Sequence, residues 1–573
     1  MHRSHRSVPH LRRRFLPAIV ATALLSQACA TTGGQLAPAP AKGLPPPTEA
    51  DFAVVARLRE GTPARIAAQA ERLWRLWTTG DEEDAEVCAS EPGTGCPAEP
   101  TEDDLGSLRR VRAASCGDER RALRLLEAHL AAEFAAQETA ALRERAGAIE
   151  SGARLEVDGE AYSFRELGSL LARETDHGRR MRIAASAAPV LRDLDEVADE
   201  TEARIAALAE RLGYRDAAEL RALSLPLPMS RLKSLAADFL KATDDAYRLA
   251  LAEAARRELG IGPGELRRAD LPALFAGVLF DVRYPREGGR EALEKTFAGL
   301  GLGAKAVRID DAARTHRLSR PACFPVAPPH DVRLALPPVP IADWRPLLRE
   351  ASCAMQAAHA TPDRFELTSL GHPGAAAGLS LATAQLAETP AWLRSHTLLT
   401  EAEIEAQLAG AALQRLFVTR RAAGKILVAS GRDYRASMEL ALGVPVMGTE
   451  GARWLSSREG GDSPRDFVSW LVGAMATARL EELHGAAWWE KREAGETLAG
   501  FWGEGGRLDP DRLAKVLGGE RLEAGPLAAR LVSRVAPLLR APPPGRPPSS
   551  PPSKEDAAPL PEQGTPPDPV LSS

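Results

Sequence analysis

The chain has 573 residues, 44% of them hydrophobic, and a formal charge of −5. That is enough apolar sequence for a large core, and beyond roughly 250 to 300 residues one core usually divides, so two lobes are expected. Five arginines and no acid fall in the first 28 residues; a chain processed there loses those five charges and carries −10, which argues against a nucleic-acid partner.

The N-terminus reads MHRSHRSVPHLRRR, then an apolar run from Phe15 to Leu25, then SQACATTGG, the three-part layout of a secretory signal over residues 1–28. The run is too short for a mature transmembrane helix. Two processing readings compete. Cys29 ends the apolar run and is followed by a Pro/Ala-rich tether (29–50), as in lipoproteins, although Ser26 stands where a lipoprotein box usually has Leu. Alternatively the segment is removed after Ala28–Ala30, leaving a soluble periplasmic or secreted protein. Acylation of Cys29 gives a membrane anchor, each buried methylene contributing about 0.8 kcal/mol. Ala30, rather than Asp, after the Cys suits an outer-membrane lipoprotein facing the periplasm.

Export also bears on the remaining cysteines, Cys88, Cys96, Cys116, Cys323 and Cys353. Their odd number leaves at least one thiol free if pairing is intramolecular. Cys88 and Cys96 flank EPGTG and read as the first candidate pair.

Residues 51–540 read as one mainly α body. Asp51 to Trp77 has helical spacing, and about 78–117 reads as a polar loop insertion with a solvated DEED run. Helical periodicity resumes over Asp118 to Ala148, and LEVDGEAYSF reads as a strand pair around an Asp158-Gly159 turn. Helices continue from Arg165 to Leu225 and from Ser230, read as an N-cap, to Leu259. The remaining strand signals are AVRID (306–310), ACFPV and DVRLALPPV (within 322–339), before helices from Ile341 to about Leu539. The Pro-rich end, 541–573, cannot bury apolar surface and is expected to be disordered.

Four motifs in the second half resemble the helical zinc metallopeptidases of the angiotensin-converting-enzyme and oligopeptidase type. ACFPVAPPHDVRLALPPVPIADWRPLLREASCAMQAAHA is similar to their strand, approach and H-E-x-x-H helix, with RPLLREASCAMQ at the metal motif. HPGAAAGLSLATAQLAETPAWL resembles the second zinc helix through Pro373, Gly374, Thr389, Pro390 and Leu393, and places the third ligand at Ala377, 28 residues after Arg349. SPRDFVSWLVGAMATARLEEL is similar to the P-Y-x-R-Y-F-V-S helix through Arg465, Phe467, Val468 and Ser469. HGAAWWEKREAGETLAGFWGEGGRLDP resembles the C-terminal Trp-pair signature, although Trp488 and Trp489 by themselves read as core.

The resemblance implies a two-lobed helical fold with a long cleft edged by a small β-sheet, and zinc as cofactor. It also places the functional positions. The three ligands correspond to Arg349, Cys353 and Ala377, the general base to Glu350, and the oxyanion donors to Asp466 and Ser456. A guanidinium has no lone pair to offer, alanine has no donor, and one cysteine falls short of the three ligands of a catalytic zinc. Asp466 would repel a developing oxyanion. His359 and His372 are the nearest substitutes, but His359 lies about 80° around the helix from Arg349. A guanidinium filling the vacated metal position and pairing with Asp466 would account for the joint change. Ser230-x-x-Lys233 lacks companion motifs and reads as a cap with a surface lysine.

The expectation is therefore an inactive relative without a metal, holding a peptide or protein in its cleft and anchored through Cys29. An active peptidase with a relocated metal site and a purely structural envelope lipoprotein are the alternatives.

Overall fold

The computed structural model describes residues 44–80, 99–280, 288–303, 307–338, 344–361, 364–372, 374–446 and 463–540. The export segment with Cys29, most of the tether, the DEED run, Cys88, Cys96, Pro373, Ser456 and the tail from residue 541 lie outside the described residues. What is described is mainly helical, with two small sheets.

Helix α1 (Glu49–Thr79) begins at Thr48 in a reciprocal box: the Asp51 amide donates to Thr48 Oγ1, and the Thr48 amide donates to the Asp51 carboxylate. Arg110 from α2 (Glu102–Ala114) clamps the same carboxylate with two hydrogen bonds. Helix α2 corrects the expectation of a loop through residue 117. Its Thr101–Asp104 capping box and acidic first turn suit a helix start, and Leu105, Leu108 and Val111 bury one face.

Helices α3 (Gly117–Glu138) and α4 (Ala140–Gly152) part at Thr139, whose hydroxyl donates back to the Ala135 carbonyl. Strands β1 (Arg154–Val157) and β2 (Glu160–Ser163) pair antiparallel about Asp158 and Gly159, both with positive φ, 54° and 86°, as a two-residue turn requires. Then come α5 (Leu167–Arg173), α6 (His177–Ser186), α7 (Ala188–Arg211) and α8 (Ala217–Ala222). Helix α9 (Met229–Ala254) takes Pro228 as its N-cap, so Ser230 is the second helical residue and exposed, not the cap that its identity suggested. Proline's fixed φ and missing amide already end the extended chain there.

After α10 (Leu271–Phe280) and α11 (Gly289–Gly299), the second sheet is built from β3 (Val307–Asp310), β4 (Ala322–Ala327) and β5 (Asp331–Ala335). Its order is β3-β5-β4, with β3 parallel and β4 antiparallel to the central β5, so β4 is an outer strand. Alternation along the pleat sends Ala322, Phe324 and Val326 to one face, where Trp74 and Trp77 of α1 meet the Phe324 ring edge-on at 5.5 and 5.9 Å. Val332 and Leu334 point the other way, into the main core with α12 (Arg345–Ala358).

The remaining helices are α13 (Ala375–Ala384), α14 (Pro390–His396), α15 (Glu401–Ala429), α16 (Tyr434–Leu442), α17 (Ser463–His484), α18 (Arg492–Gly503), α19 (Pro510–Val516) and α20 (Gly525–Val535). The largest apolar cluster extends from Leu227 to Val535 and includes Trp488 and Trp489, both buried as expected. Buried Arg420 rivets it, donating to the carbonyls of Leu240, Leu440 and Ala441, the Thr243 hydroxyl and Asp244. The N-terminal helices form a second apolar cluster around Val55, Leu58, Leu105, Leu126 and Leu208.

Candidate functional site

Helix α12 buries Leu347, Leu348, Ala351, Ala354 and Met355, a stripe at helical spacing that packs toward β5 and the core. That stripe fixes what the other face presents. Arg349 is largely exposed, while Glu350 and Cys353 are half-buried beside the sheet. At the buried rear, Ser352 donates to the Leu348 carbonyl and Gln356 accepts from Ser380 of α13.

Helix α13 carries Ala377, half-buried, and crosses α17 at glycines. A Cβ on Gly378 would stand 2.5 Å from Val472, and one on Gly473 would stand 2.9 Å from the Cβ of Leu381. The two helices therefore approach more closely than any residue with a side chain at these points would allow. Asp466 lies in the first turn of α17, accessible to solvent.

The bond that organises the site joins Cys353 of α12 to Cys323 of β4 in a disulfide, Cα to Cα 6.2 Å. Cys116 is also disulfide-bonded, and no described cysteine is free. Cys353 thus offers no thiolate in this state. Beside it, the Cys323 amide donates to Glu350 Oε2 at 3.1 Å. Burial pushes the Glu350 carboxyl above the usual range, opposed by Arg349 and by this amide bond. Glu350 is held by the sheet rather than aimed into open space.

Arg349 does not pair with Asp466 as expected. Its ion pair is with its sequence neighbour Glu350, Nε to Oε1 3.6 Å. Sequence adjacency wins because the exposed guanidinium folds back on its own helix. Arg349 still acts on Asp466 through space: burial lifts that carboxyl, and Arg349, Arg465 and Lys425 oppose the lift. Asp466 is thus reached by water, yet the protein around it disfavours its charge.

A second charged group stands nearby on α15. Arg415 lies over the Trp470 ring, 3.2 Å from its centroid, and pairs with Glu388 at 2.6 Å. Burial works against ionising Glu388, but Arg415 and Arg345 overcome it and hold the carboxyl below its usual range. His359 donates from Nδ1 to the Met355 carbonyl, 2.7 Å away, and its ring packs near Trp502, so it is occupied at the end of α12.

These donors do not suit zinc. Arg349 is a cation without a lone pair, Cys353 is oxidised and Ala377 has no donor atom. The residue that sequence reasoning missed is Cys323. Its signal was available in its position, next to Ala322 and Phe324 on a strand whose odd-numbered residues must turn toward α12. An open depression lined by Lys515, Gly519, Glu520, Arg521 and Glu523 includes none of these residues. The chain matches no known protein-family profile and no curated protein.

Proposed function

We propose that this chain is a non-catalytic relative of the helical zinc metallopeptidases, keeping their two-lobed cleft to hold a peptide or protein partner, and anchored at the cell envelope through a lipidated Cys29. The observation that carries the reading is the donor chemistry of α12 and α13. A guanidinium, a disulfide sulfur and a methyl group stand at the three ligand positions, and the residue at the base position, Glu350, is spent on a backbone amide. Zinc hydrolysis needs three ligands and a carboxylate free to take a proton from metal-bound water. The exposed Arg349 and the accessible Asp466 would offer a polar ligand charged groups of both signs.

The test is metal analysis of the purified protein together with peptide hydrolysis in the presence and absence of a chelator. The expected result is no stoichiometric zinc and no chelator-sensitive cleavage. Stoichiometric zinc with cleavage abolished by the chelator would replace this reading with that of an active peptidase.

A further inference from the structure

Strand β4 is the outer strand of its sheet, and such an edge ordinarily presents amides and carbonyls on which another extended chain can pair. Here the edge is closed piece by piece. The outward amide of Cys323 is taken by Glu350 Oε2, at 3.1 Å. Two residues on, Pro325 faces the same way and has no amide. Between Pro325 and Ala327 the register shifts, which interrupts the regular run of edge groups, and the Ala327 carbonyl turns inward to His330 within the hairpin. Of these positions, the Cys323 amide alone can be opened without rebuilding the strand.

What holds Glu350 on that amide is the adjacent bond between α12 and β4. The Cys323–Cys353 disulfide starts from the same strand residue as the amide and ends three residues after Glu350 on the helix. Both cysteines are partly rather than fully buried, so the bond is not sealed in the core. We infer that this disulfide is a redox latch: oxidised, it keeps Glu350 on the Cys323 amide and closes the β4 edge to an extended polypeptide; reduced, it lets the edge open.

The reductant is a dithiol. One of its thiolates attacks a disulfide sulfur, the mixed disulfide is resolved by the second, and two electrons and two protons pass to give two cysteine thiols and an oxidised dithiol. The gating consequence rests on the reading of this site as a polypeptide-binding cleft, whereas the latch itself needs no ligand.

The experiment is amide hydrogen exchange of segment 321–327 in the full chain, in five forms: the oxidised parent, the dithiothreitol-treated parent, C323S/C353S, E350A and E350Q. The double-serine variant isolates this bridge from the one at Cys116. Exchange should quicken by about tenfold or more in the treated parent, C323S/C353S and E350A, while E350Q, whose amide oxygen still accepts, stays near the parent. Fluorescently labelled carboxymethylated casein, an unfolded polypeptide, should bind more to C323S/C353S than to the oxidised parent. Unchanged exchange in C323S/C353S or E350A would overturn the latch, as would equal quickening in the α9 core, which marks general loosening. Faster local exchange with unchanged casein binding would overturn the gating. None of these readouts involves zinc or hydrolysis, so failure here is distinct from failure of the non-catalytic reading.

Discussion

Replacing Gly378 with alanine should force α13 and α17 apart. The new Cβ would lie 2.5 Å from Cβ and Cγ1 of Val472 and 3.0 Å from the Ser469 carbonyl oxygen. Carbons in contact prefer about 3.5 to 4.0 Å, so the helices must separate by about 1 Å. Because Cβ of Val472 is fixed to its backbone, no rotamer relieves the overlap. Overpacking of this kind costs roughly 1 to 3 kcal/mol, set against about 1 kcal/mol gained because alanine forms helix better than glycine. With a backbone-fixed clash the upper part of that range applies, and the expected net loss is about 2 kcal/mol. Urea unfolding followed by circular dichroism reads this as a lower midpoint. Gly473→Ala, with its Cβ 2.9 Å from that of Leu381, should behave similarly. The double variant should lose less than the sum, because one separation of the helices relieves both contacts. A midpoint unchanged or raised in G378A, or strict additivity in the double variant, would refute this account of the crossing.

The bridge between Cys323 and Cys353 spans 30 residues, so C353S should lower stability by about 3 to 4 kcal/mol in the absence of reductant, read as a lower melting temperature. Glu350 gives a pH signature. Its folded carboxyl is raised above 4.5, so as pH climbs past that value the unfolded chain sheds its proton first, and native stability falls until the folded carboxyl has also ionised. E350Q should remove that fall, visible as a flatter stability profile than the parent's above pH 4.5; an identical slope in parent and variant would refute the shift. Finally, restoring donors with R349H/C353H/A377E, in a C323S background to avoid a stray thiol, should raise zinc affinity by at least about tenfold over the parent. Equilibrium dialysis measures it, and no gain would mean that the three positions do not converge.

Much of the architecture was legible because it follows from local patterns. The helical stretch read from Ile341 onward contains α12, and Asp158-Gly159 announced the hairpin at β1 and β2. The misses have physical causes. Glu102, Asp103 and Asp104 fall in the stretch read as a polar loop, yet in the first turn of α2 they complement the amide end of the helix. Ser230 has the chemistry of a cap, but Pro228 had already set the start of α9. At the site, residue identities were readable while pairings were not. Proximity in sequence singled out Cys88 and Cys96, whereas Cys323–Cys353 emerged when strand and helix were placed side by side. Arg349 could be named as a cation without revealing that the acid it pairs with is Glu350, its neighbour, rather than Asp466 on α17.

The seat of α1 on the second sheet has a consequence for the order of events as the chain is made. Trp77 donates its indole N–H to the Arg320 carbonyl, 243 residues away, and Trp74 and Trp77 have Phe324 as their aromatic partner. At synthesis rates of about 5 to 20 residues per second, the surface that receives them is completed roughly 10 to 50 seconds after they emerge. During that interval the first helix carries two tryptophans with nowhere to go. A nascent chain of this design has to be shielded or kept extended until its middle third arrives, and shortening it before β5 should leave a sticky helix rather than a smaller folded protein.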